Sequence, residues 1–305
     1  MIKANVYARS ANHPRFEEML MKFATGILDA GDEAFFTYDD KYYDCDVAVI
    51  FGSWKDRDMP HHKIKNDIVK KAKNFIVVET PLIGRGPVQD VMGDNWYRVG
   101  LNGFLADTGN FNNKHKGKDR WDVIRKNLNI ELKAYNDMPG EHIVVALQLP
   151  GDASLRGASI EKWCRDVCRD IRKKTDMPII IRTPQLTREY DKKLLKEALS
   201  FPNVKLEKGT KENMLPMLQK AHCAVTYSSG FGIDAIINGC PVIATDPASF
   251  VYEICDNNVD NIENPTRPNR DQLMFNLSYA QWHISEIENG YPWRHLKQVL
   301  TNATS

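Results

Sequence analysis

Hydrophobic and polar residues along the first half of the chain follow the pattern of short strands that alternate with helices. Strands are predicted at residues 3–8, 34–37, 46–51 and 74–79, and helices at residues 14–28 and 61–72. The strand at 46–51 is apolar at nearly every position instead of on one face only. Such strands, separated by helices, are typical of a parallel sheet that is covered on both sides.

A second run of the same pattern begins after the dipeptide Pro139-Gly140. Further strands are predicted at residues 142–147, 177–182, 204–207, 221–226 and 241–244, with helices at 159–174, 191–198, 212–220 and 233–238 and a long last helix at 270–288. The sequence therefore predicts an α/β protein with two Rossmann-like, doubly wound domains that face a cleft, because ligands of such sheets bind beyond the carboxyl ends of the strands. The predicted domains cover residues 1–138 and 139–269, and residues 270–305 follow them.

The composition is that of an ordinary globular protein. Its 305 residues are enough for two domains of about 150 residues each. No apolar run approaches the ~18 residues of a membrane span, and the amino-terminal residues predict a strand instead of a secretory signal. The six cysteines include no CxxC pair, so we expect buried free thiols and a cytoplasmic protein. We also expect a monomer that does not bind membranes.

Charge is distributed unevenly along the chain despite a formal net charge of +1. Residues 1–54 carry five Lys/Arg and nine Asp/Glu, whereas residues 55–126 carry fifteen Lys/Arg and nine Asp/Glu. The lysines between positions 63 and 73 are typical of a solvated helix face. Two interpretations are open for the polar stretch 112–120. It either binds the phosphate backbone of a nucleic acid or is a solvated loop that keeps the protein soluble. Its basic residues are Lys114, Lys116, Lys118 and Arg120.

The strongest chemical signal lies in residues 224–246, where a predicted strand runs into a turn of small residues that opens a helix. The turn is Ser228-Ser229-Gly230, and small residues let backbone N–H groups approach a ligand closely. The amino terminus of a helix favours negative charge, so a diphosphate fits this turn. Asp234 follows in the first turns of the helix, near enough to bind the hydroxyls of a ribose.

The order of residues in this segment resembles the nucleotide-sugar motif of GT-B glycosyltransferases. The shared pattern is Ser-x-Gly-x-Gly-Ile-Asp-Ala, followed after three residues by Gly-x-Pro-Val-Ile. The resemblance implies a site that begins at Tyr227, in which Asp234 holds the ribose and Ser228, Ser229 and Gly230 hold the diphosphate. Most members carry Glu where this chain has Asp. The resemblance further implies that the co-substrate is a nucleotide diphosphate sugar, with a UDP-sugar as the first expectation. It also implies a C-terminal helix that crosses back to the first domain. No cofactor is required, and no divalent metal is indicated.

Three further segments, at residues 96–104, 148–155 and 281–296, resemble parts of bacteriophage GT-B proteins. That group includes enzymes that glycosylate hydroxymethylated pyrimidines in viral DNA. The resemblance implies a modified pyrimidine in duplex DNA, such as 5-hydroxymethylcytosine, as the acceptor, with the base flipped into the cleft. Aromatic residues that could stack on that base are Trp54, Trp96 and Phe111. The alternatives are a glycosyltransferase that acts on a cell-surface polysaccharide or lipid-linked sugar, a UDP-sugar epimerase, and a non-catalytic GT-B-like binding protein.

Three other patterns each have a structural and a functional interpretation. Gly151, Asp152 and Ser154 follow a predicted strand, where they either cap a turn or contact the donor phosphates. Arg182 ends another predicted strand, where its cation either balances a leaving diphosphate or forms a surface ion pair. The Asp-x-Asp pattern at residues 44–46 matches a metal-binding motif of other glycosyltransferases. We interpret it as structural, because three residues that introduce a strand are a weak signal.

Direct displacement requires a base on the acceptor side that deprotonates the attacking hydroxyl. Asp107, which lies between glycines and beside the basic stretch, is the favoured candidate. Glu79, at the end of a predicted strand, is the alternative, and for each carboxylate a capped turn is the structural interpretation. Arg9 and Ser10, at the mouth of the first strand, are predicted to line the acceptor side of the cleft.

Overall fold

Two β-sheets, one centred in each half of the chain, form the framework of the protein. The computed structural model describes residues 1–55, 57–84, 95–137, 139–186 and 188–302. The strands are β1 (Lys3–Tyr7), β2 (Glu33–Thr37), β3 (Val47–Phe51), β4 (Phe75–Glu79), β5 (Trp96–Leu101), β6 (His142–Ala146), β7 (Ile179–Thr183), β8 (Val204–Lys208), β9 (Ala221–Thr226), β10 (Val242–Ala244) and β11 (Gln281–His283). The six-stranded first sheet has the order β11-β5-β4-β3-β1-β2, and the five-stranded second sheet has the order β10-β9-β6-β7-β8.

Helices cover both sheets, and several begin at caps that the sequence encodes locally. They are α1 (Pro14–Asp29), α2 (Pro60–Lys71), α3 (Asp119–Asn127), α4 (Ile160–Arg172), α5 (Lys192–Leu199), α6 (Lys211–Lys220), α7 (Phe231–Ile237), α8 (Asp271–Ser278), α9 (Ile284–Glu288) and α10 (Tyr291–Asn302). Ser159 caps α4, and Thr210 forms a capping box with Asn213 at the start of α6. Within the described residues, no helix is long and apolar enough to cross a membrane. The six cysteines, all in the described part of the chain, are free thiols, as predicted.

The predicted α/β class with two Rossmann-like domains is confirmed. The second sheet is parallel throughout, and β6 and β9 at its centre are buried at every position. The first sheet departs from a purely parallel arrangement, because β5 and β11 are antiparallel to their neighbours. The sequence pattern did not predict β5, since Arg98 and Gly100 interrupt its apolar run, although the strand is buried along its whole length. The predicted domain boundary lies beside Met138, which is outside the described residues.

The predicted long helix over residues 270–288 is wrong. The chain forms α8, leaves the helix, and then adds β11 to the edge of the first sheet beside β5. Trp282 is buried in the first domain, and the Gln281 side-chain oxygen accepts hydrogen bonds from the N–H groups of Leu82 and Ile83 at 2.9 and 2.8 Å. These partners are distant in sequence, so helical periodicity could not reveal that the segment becomes a strand.

The end of the chain crosses back to the first domain and packs on α1. Gly26 of α1 and Gly290 between α9 and α10 let the two backbones touch, because a Cβ on Gly26 would lie 2.1 Å from the Ile287 carbonyl oxygen. Trp293 is fully buried in this contact, and its indole N–H donates to the Asp32 carboxylate at 2.8 Å. The return of the C-terminal segment is therefore built from three short elements instead of one long helix.

Apolar side chains of both domains belong to one hydrophobic core. Leu82, Trp96 and Phe111 of the first domain are buried together with Ile236 and Val251 of the second. Apolar burial of this kind stabilises an interface in proportion to the area removed from water. The shared core therefore fixes how the two sheets face each other.

Replacing Gly26 by alanine should destabilise the protein, because the added methyl group meets backbone atoms of the turn before α10. Overpacking of this kind costs about 1–3 kcal/mol, which urea unfolding followed by circular dichroism would measure. Gly117→Ala is the matched control, since its Cβ would approach only the Asp119 side chain, at 3.1 Å. Equal stability of the two variants would contradict this account of the chain crossing.

Candidate functional site between the domains

The loops that follow the carboxyl ends of the strands converge between the two domains. The strands of the second sheet are parallel, so the loops after β6, β7, β9 and β10 meet at one edge of the sheet. Loops of the first domain lie against them. Lys55, after β3, donates from Nζ to the Gly151 carbonyl oxygen at 2.5 Å, and the Ala106 N–H donates to the Ala248 carbonyl oxygen at 3.3 Å. The loops of the second domain, which are predicted to bind the donor, therefore meet the loops of the first domain, which are predicted to bind the acceptor, at one interface.

Gln148 holds two of the donor-side loops together. Its side-chain oxygen accepts a hydrogen bond from the Ser228 N–H at 3.1 Å, and its side-chain nitrogen donates to the Ser154 hydroxyl at 2.6 Å. All three residues are buried. The Gln148 backbone carbonyl accepts from the Tyr190 hydroxyl at 3.1 Å, which fixes the residue from the other side. Gln148 was not among the predicted site residues, although it begins one of the segments that resemble bacteriophage proteins.

The predicted phosphate-binding turn, Ser228-Ser229-Gly230, leads directly into α7. The Ser229 hydroxyl accepts a hydrogen bond from the Phe231 N–H at 3.2 Å, which closes a local turn before the helix. The Ser229 N–H donates to the Thr226 hydroxyl at 3.2 Å, which holds the turn against the end of β9. Ser229 and Gly230 are only half-buried. This part of the turn is therefore ordered by local bonds and still accessible to a ligand.

Arg182 and Asp234 place opposite charges at the same edge of the sheet. The Arg182 guanidinium lies over the Phe231 ring, 4.8 Å from its centroid, and donates to the Thr210 carbonyl oxygen at 3.2 Å. Burial lowers the pKa of Arg182, whereas the nearby Asp234 and Glu207 carboxylates oppose that shift. Its Nε is buried without a hydrogen-bond partner among the described residues. Arg182 is therefore a half-buried cation near the predicted ribose-binding carboxylate.

Gly151, Asp152 and Ser154 form a capped turn after β6. One Asp152 carboxylate oxygen accepts hydrogen bonds from both the N–H and the hydroxyl of Ser154, at 2.9 and 2.8 Å. Gly151 has a φ of 65°, in the left-handed region that favours glycine. This arrangement is the structural interpretation of the segment, and its contact with a donor phosphate stays a prediction.

Arg156, which was not predicted as a site residue, bridges the two domains. Its Nη1 lies 2.6 Å from Asp107 Oδ2 in the first domain, and its Nη2 lies 2.8 Å from Asp246 Oδ1 in the second domain. The hydrogen bond to Asp107 is the largest of the effects that raise the pKa of Arg156. Arg156 has a φ of 49° and Gly157 a φ of 89°, so the side chain leaves a tight turn. An Arg-Gly pair in the turn after a predicted strand is the signal that could have indicated it.

Asp246 connects this bridge to the phosphate-binding turn. It follows β10, and its N–H donates to the Tyr227 carbonyl oxygen at 3.2 Å. Burial raises the pKa of the Tyr227 hydroxyl, and a hydrogen bond to the Asp246 carboxylate raises it further. Tyr227 directly precedes Ser228. The Arg156 bridge and the predicted diphosphate site are therefore neighbours.

The two carboxylates predicted as alternative bases have different surroundings. Asp107 lies in the ion-pair bridge and faces the donor-side loops. Glu79 accepts hydrogen bonds from the N–H groups of Ser53 and Thr80 at 3.1 and 2.8 Å, which is the capped turn of its structural interpretation. Lys65 is buried nearby, and burial lowers its pKa to about 8, an effect that the Glu79 carboxylate opposes. Glu79 thus stabilises the loops after β3 and β4.

Arg9 and Ser10, both predicted to line the acceptor side of the cleft, differ in their exposure to solvent. Ser10 is buried, and its hydroxyl donates to the Tyr7 carbonyl oxygen at 2.6 Å and accepts from the Phe51 N–H at 2.9 Å. These bonds join the ends of β1 and β3, so the Ser10 hydroxyl is used within the sheet instead of facing an acceptor. Arg9 is exposed at the mouth of β1, where its predicted contact with an acceptor stays a prediction.

Arg120, predicted to contact phosphates of DNA, is instead engaged by the returning C-terminal segment. Its guanidinium lies 3.9 Å from the centroid of the Trp282 ring and forms an ion pair with Glu286 at 2.8 Å. It also donates to the carbonyl oxygens of Ser278 and Gln281 at 3.0 and 2.9 Å. The sequence could not show this, because the partners lie about 160 residues further along the chain.

Of the three lysines of the basic stretch, Lys116 contacts α8 and the residue that follows it. The Lys116 N–H donates to the Asn276 side-chain oxygen at 3.2 Å, and its Nζ lies 5.3 Å from the centroid of the Tyr279 ring. Lys114 and Lys118 are exposed. Of the four basic residues predicted to contact DNA, these two have the freest access to a polyanion.

The aromatic residues proposed to stack on a flipped base are mostly part of the core. Trp96 and Phe111 are buried in the core that the two domains share. Trp54 is half-buried and packs edge-on against Phe75 and Phe104. Stacking of a nucleobase on Trp96 or Phe111 would require this core to open, so that prediction is wrong for both residues.

Two solved structures that cover nearly the whole chain have a similar fold at low sequence identity. No protein-family model and no curated protein matches the sequence. Two structures of KpsC from Thermosulfurimonas dismutans are similar at 12% identity. The beta Kdo 2,4 transferase has a TM-score of 0.57 and covers 92% of each chain, and the beta Kdo 2,7 transferase has a TM-score of 0.54 and covers 99% of this chain and 100% of that one. A UDP-GlcNAc 2-epimerase from Methanocaldococcus jannaschii has a TM-score of 0.33 at 14% identity, with coverage of 87% and 81%.

These likenesses, together with the two sheets and their facing loops, define the fold as the GT-B type. The chain spans nearly the full length of both KpsC structures. At 12% identity the similarity concerns the fold alone. The comparisons give no support to the resemblance to bacteriophage DNA-modifying enzymes.

Replacing Gln148 by leucine should destabilise the ligand-free protein, because the buried N–H of Ser228 then loses its acceptor. A buried donor left without a partner costs about 1–3 kcal/mol, to be measured by urea unfolding. Gln185→Leu, at an exposed position in the same domain, is the control and should change stability little. Should both variants unfold at the same urea concentration as the wild type, Gln148 does not hold the two loops together.

Proposed function

We propose that this protein is a glycosyltransferase that transfers a sugar from a nucleotide sugar to a hydroxyl of a saccharide. The observation that carries the proposal is the meeting of three groups at one sheet edge of a GT-B fold: the turn 228–230, the Asp234 carboxylate and the half-buried Arg182 cation over Phe231. The Ser229 hydroxyl can still donate to a phosphate, and Gly230 lets a ligand approach closely. A carboxylate suits ribose hydroxyls, and a cation balances a leaving phosphate. A UDP-linked sugar is the first donor to test.

A saccharide acceptor is favoured over DNA by two observations. The two KpsC structures, which have the same fold over the whole chain, are named as Kdo transferases. In addition, Arg120 is engaged within the protein, so the predicted DNA-gripping loop has fewer basic groups to offer. Cell-surface polysaccharides and lipid-linked sugars are acceptors of this class. A hydroxymethylated pyrimidine in DNA is the competing acceptor, with the exposed Lys114 and Lys118 as its support.

The reaction would form a bond between the acceptor hydroxyl oxygen and the anomeric carbon of the donor sugar. The bond from that carbon to the phosphate oxygen breaks, and the leaving nucleotide keeps the electron pair. Arg182 and the turn 228–230 would stabilise the charge that develops on the leaving group. Asp107, on the acceptor side of the interface, would take the hydroxyl proton.

Asp234→Ala should weaken nucleotide binding by about 1–3 kcal/mol, because hydrogen bonds between the carboxylate and the ribose hydroxyls are lost. Isothermal calorimetry with uridine, cytidine, guanosine and thymidine nucleotides would measure the change. Asp176→Ala removes an exposed carboxylate from the same domain and serves as the control. Equal affinities in folded wild type and Asp234→Ala would show that Asp234 does not bind the ribose.

Transfer would be tested with a panel of nucleotide sugars and two acceptor classes, oligosaccharides and duplex DNA that contains 5-hydroxymethylcytosine, with mass spectrometry of the products. We expect a glycosylated saccharide from the wild type. Asp107→Asn should lower turnover by ~10²–10⁴-fold without loss of donor binding. Glu79→Gln tests the alternative base and should retain turnover if Glu79 only stabilises its loop.

Each other outcome points to a different function. Product on DNA alone would replace the saccharide acceptor by a modified pyrimidine. Donor binding without transfer to either acceptor class would favour a non-catalytic binding protein. If Glu79→Gln loses most of its turnover while Asp107→Asn stays active, the catalytic base is Glu79.

A further inference from the structure

The Arg156 bridge occupies the carboxylate that the proposed reaction needs as its base. Asp107 Oδ2 already accepts a hydrogen bond from a guanidinium nitrogen 2.6 Å away, so this oxygen is not free to contact an acceptor hydroxyl. The same guanidinium also binds Asp246, so Arg156 is held by one carboxylate from each domain. Something must draw Arg156 away from Asp107 before the acceptor hydroxyl can be deprotonated.

We infer that Arg156 exchanges Asp107 for the phosphate of the donor, so that donor binding releases the base. This inference rests on the proposed function and deepens it, because it makes Arg156 a ligand of the donor and sets the order of binding. The donor must bind first, since the acceptor hydroxyl meets a free Asp107 only after the exchange.

The position of Arg156 makes the exchange a short movement. Asp246 accepts the second ion pair of Arg156 and lies beside Tyr227, the residue before the phosphate-binding turn. The Ser154 carbonyl oxygen, two residues before Arg156, accepts a hydrogen bond from the Ser228 hydroxyl at 3.4 Å. The chain two residues before Arg156 contacts the turn, and the guanidinium of Arg156 contacts Asp246 beside it.

The strengths of the competing contacts favour the exchange. The side chain of Arg156 is 41% exposed, and those of Asp107 and Asp246 are 23% and 15% exposed. Ion pairs as accessible to water as these contribute little to stability. A guanidinium forms paired, charge-assisted hydrogen bonds with a phosphate, whose charge is greater than that of one carboxylate.

The second cation of the site cannot make this movement. Arg182 is half-buried, lies over the Phe231 ring and donates to the Thr210 carbonyl oxygen. Its place is set before the donor arrives. The site therefore pairs a fixed cation with an exchangeable one, and only the exchangeable cation connects the donor side to the base.

Calorimetric titration of the full chain with UDP, or with whichever nucleoside diphosphate binds the wild type best, tests the exchange. Arg156→Gln should weaken binding by about tenfold or more, because charge-assisted hydrogen bonds to the phosphate are lost. Asp107→Asn should tighten binding by roughly twofold to fivefold, because Arg156 no longer has to leave an exposed ion pair. Neither measurement depends on catalytic activity.

The double variant Arg156→Gln/Asp107→Asn separates the exchange from a simple effect of charge. If Asp107 acts through Arg156, the double variant binds the nucleotide no more tightly than Arg156→Gln alone. If removal of the Asp107 charge tightens binding equally with and without Arg156, the inference is overturned. The nucleoside without phosphate should bind Arg156→Gln and wild type equally.

Controls distinguish the failure of this inference from that of the proposed function. Arg169→Gln, which removes an arginine paired with Asp166 on α4, should not change nucleotide affinity. Arg156→Lys keeps the positive charge and should retain more affinity than Arg156→Gln, which also covers the case of a variant that folds poorly. Nucleotide binding that is unchanged in Arg156→Gln overturns the role of Arg156 alone, whereas a wild type that binds no nucleotide overturns the donor site itself.

Discussion

The apolar contact between the two domains is the interaction on which the rest of the structure depends. Ala248 of the second domain is fully buried beside Phe104 and Leu105 of the first, and the Arg98 guanidinium lies 5.3 Å from the Phe250 ring centroid. Because apolar burial is not directional, this contact holds the domains together without using the charged groups at its margin. Those groups are left to form the candidate site.

The C-terminal segment that returns to the first domain also supports the apolar contact between the two domains. Gln281, in β11, positions the loop after β4 through the N–H groups of Leu82 and Ile83, and Leu82 is itself part of the shared core. Arg120 stacks on Trp282 and so ties the basic stretch to the returning segment. Arg120, one of the four basic residues of this stretch, therefore stabilises the packing of the chain.

Polar contacts at the site divide into a rigid set and an exchangeable set. The rigid set is the buried network around Gln148, in which each bond would be costly to break because water cannot replace it. The exchangeable set is the Arg156 bridge, whose groups are partly open to water. The turn 228–230 is held in place by the Gln148 network, whereas Arg156 can leave its carboxylate. This combination suits the proposed reaction, in which the donor must bind before Asp107 becomes free.

Local features of the site could be predicted from the sequence. The turn of small residues, the start of the helix that follows it and the position of Asp234 depend on neighbours within a few residues, which the sequence displays directly. The central strands β6 and β9 were predicted for a similar reason, because burial on both faces leaves an uninterrupted apolar run.

The tertiary structure alone decided which distant groups meet. Asp107 and Asp246 lie 49 and 90 residues from Arg156, and Gln148 lies 80 residues from Ser228. Periodicity reports whether a residue is buried or exposed, but it carries no information about a partner in another element. The segment 270–288 shows the same limit, because it became helix, strand and helix where the first sheet offered β5 as an edge to pair with. The sequence by itself determined the central strands and the residues of the turn, because both depend on neighbours along the chain. The packing of the two domains determined β11 and the Arg156 bridge, because their partners are distant in sequence.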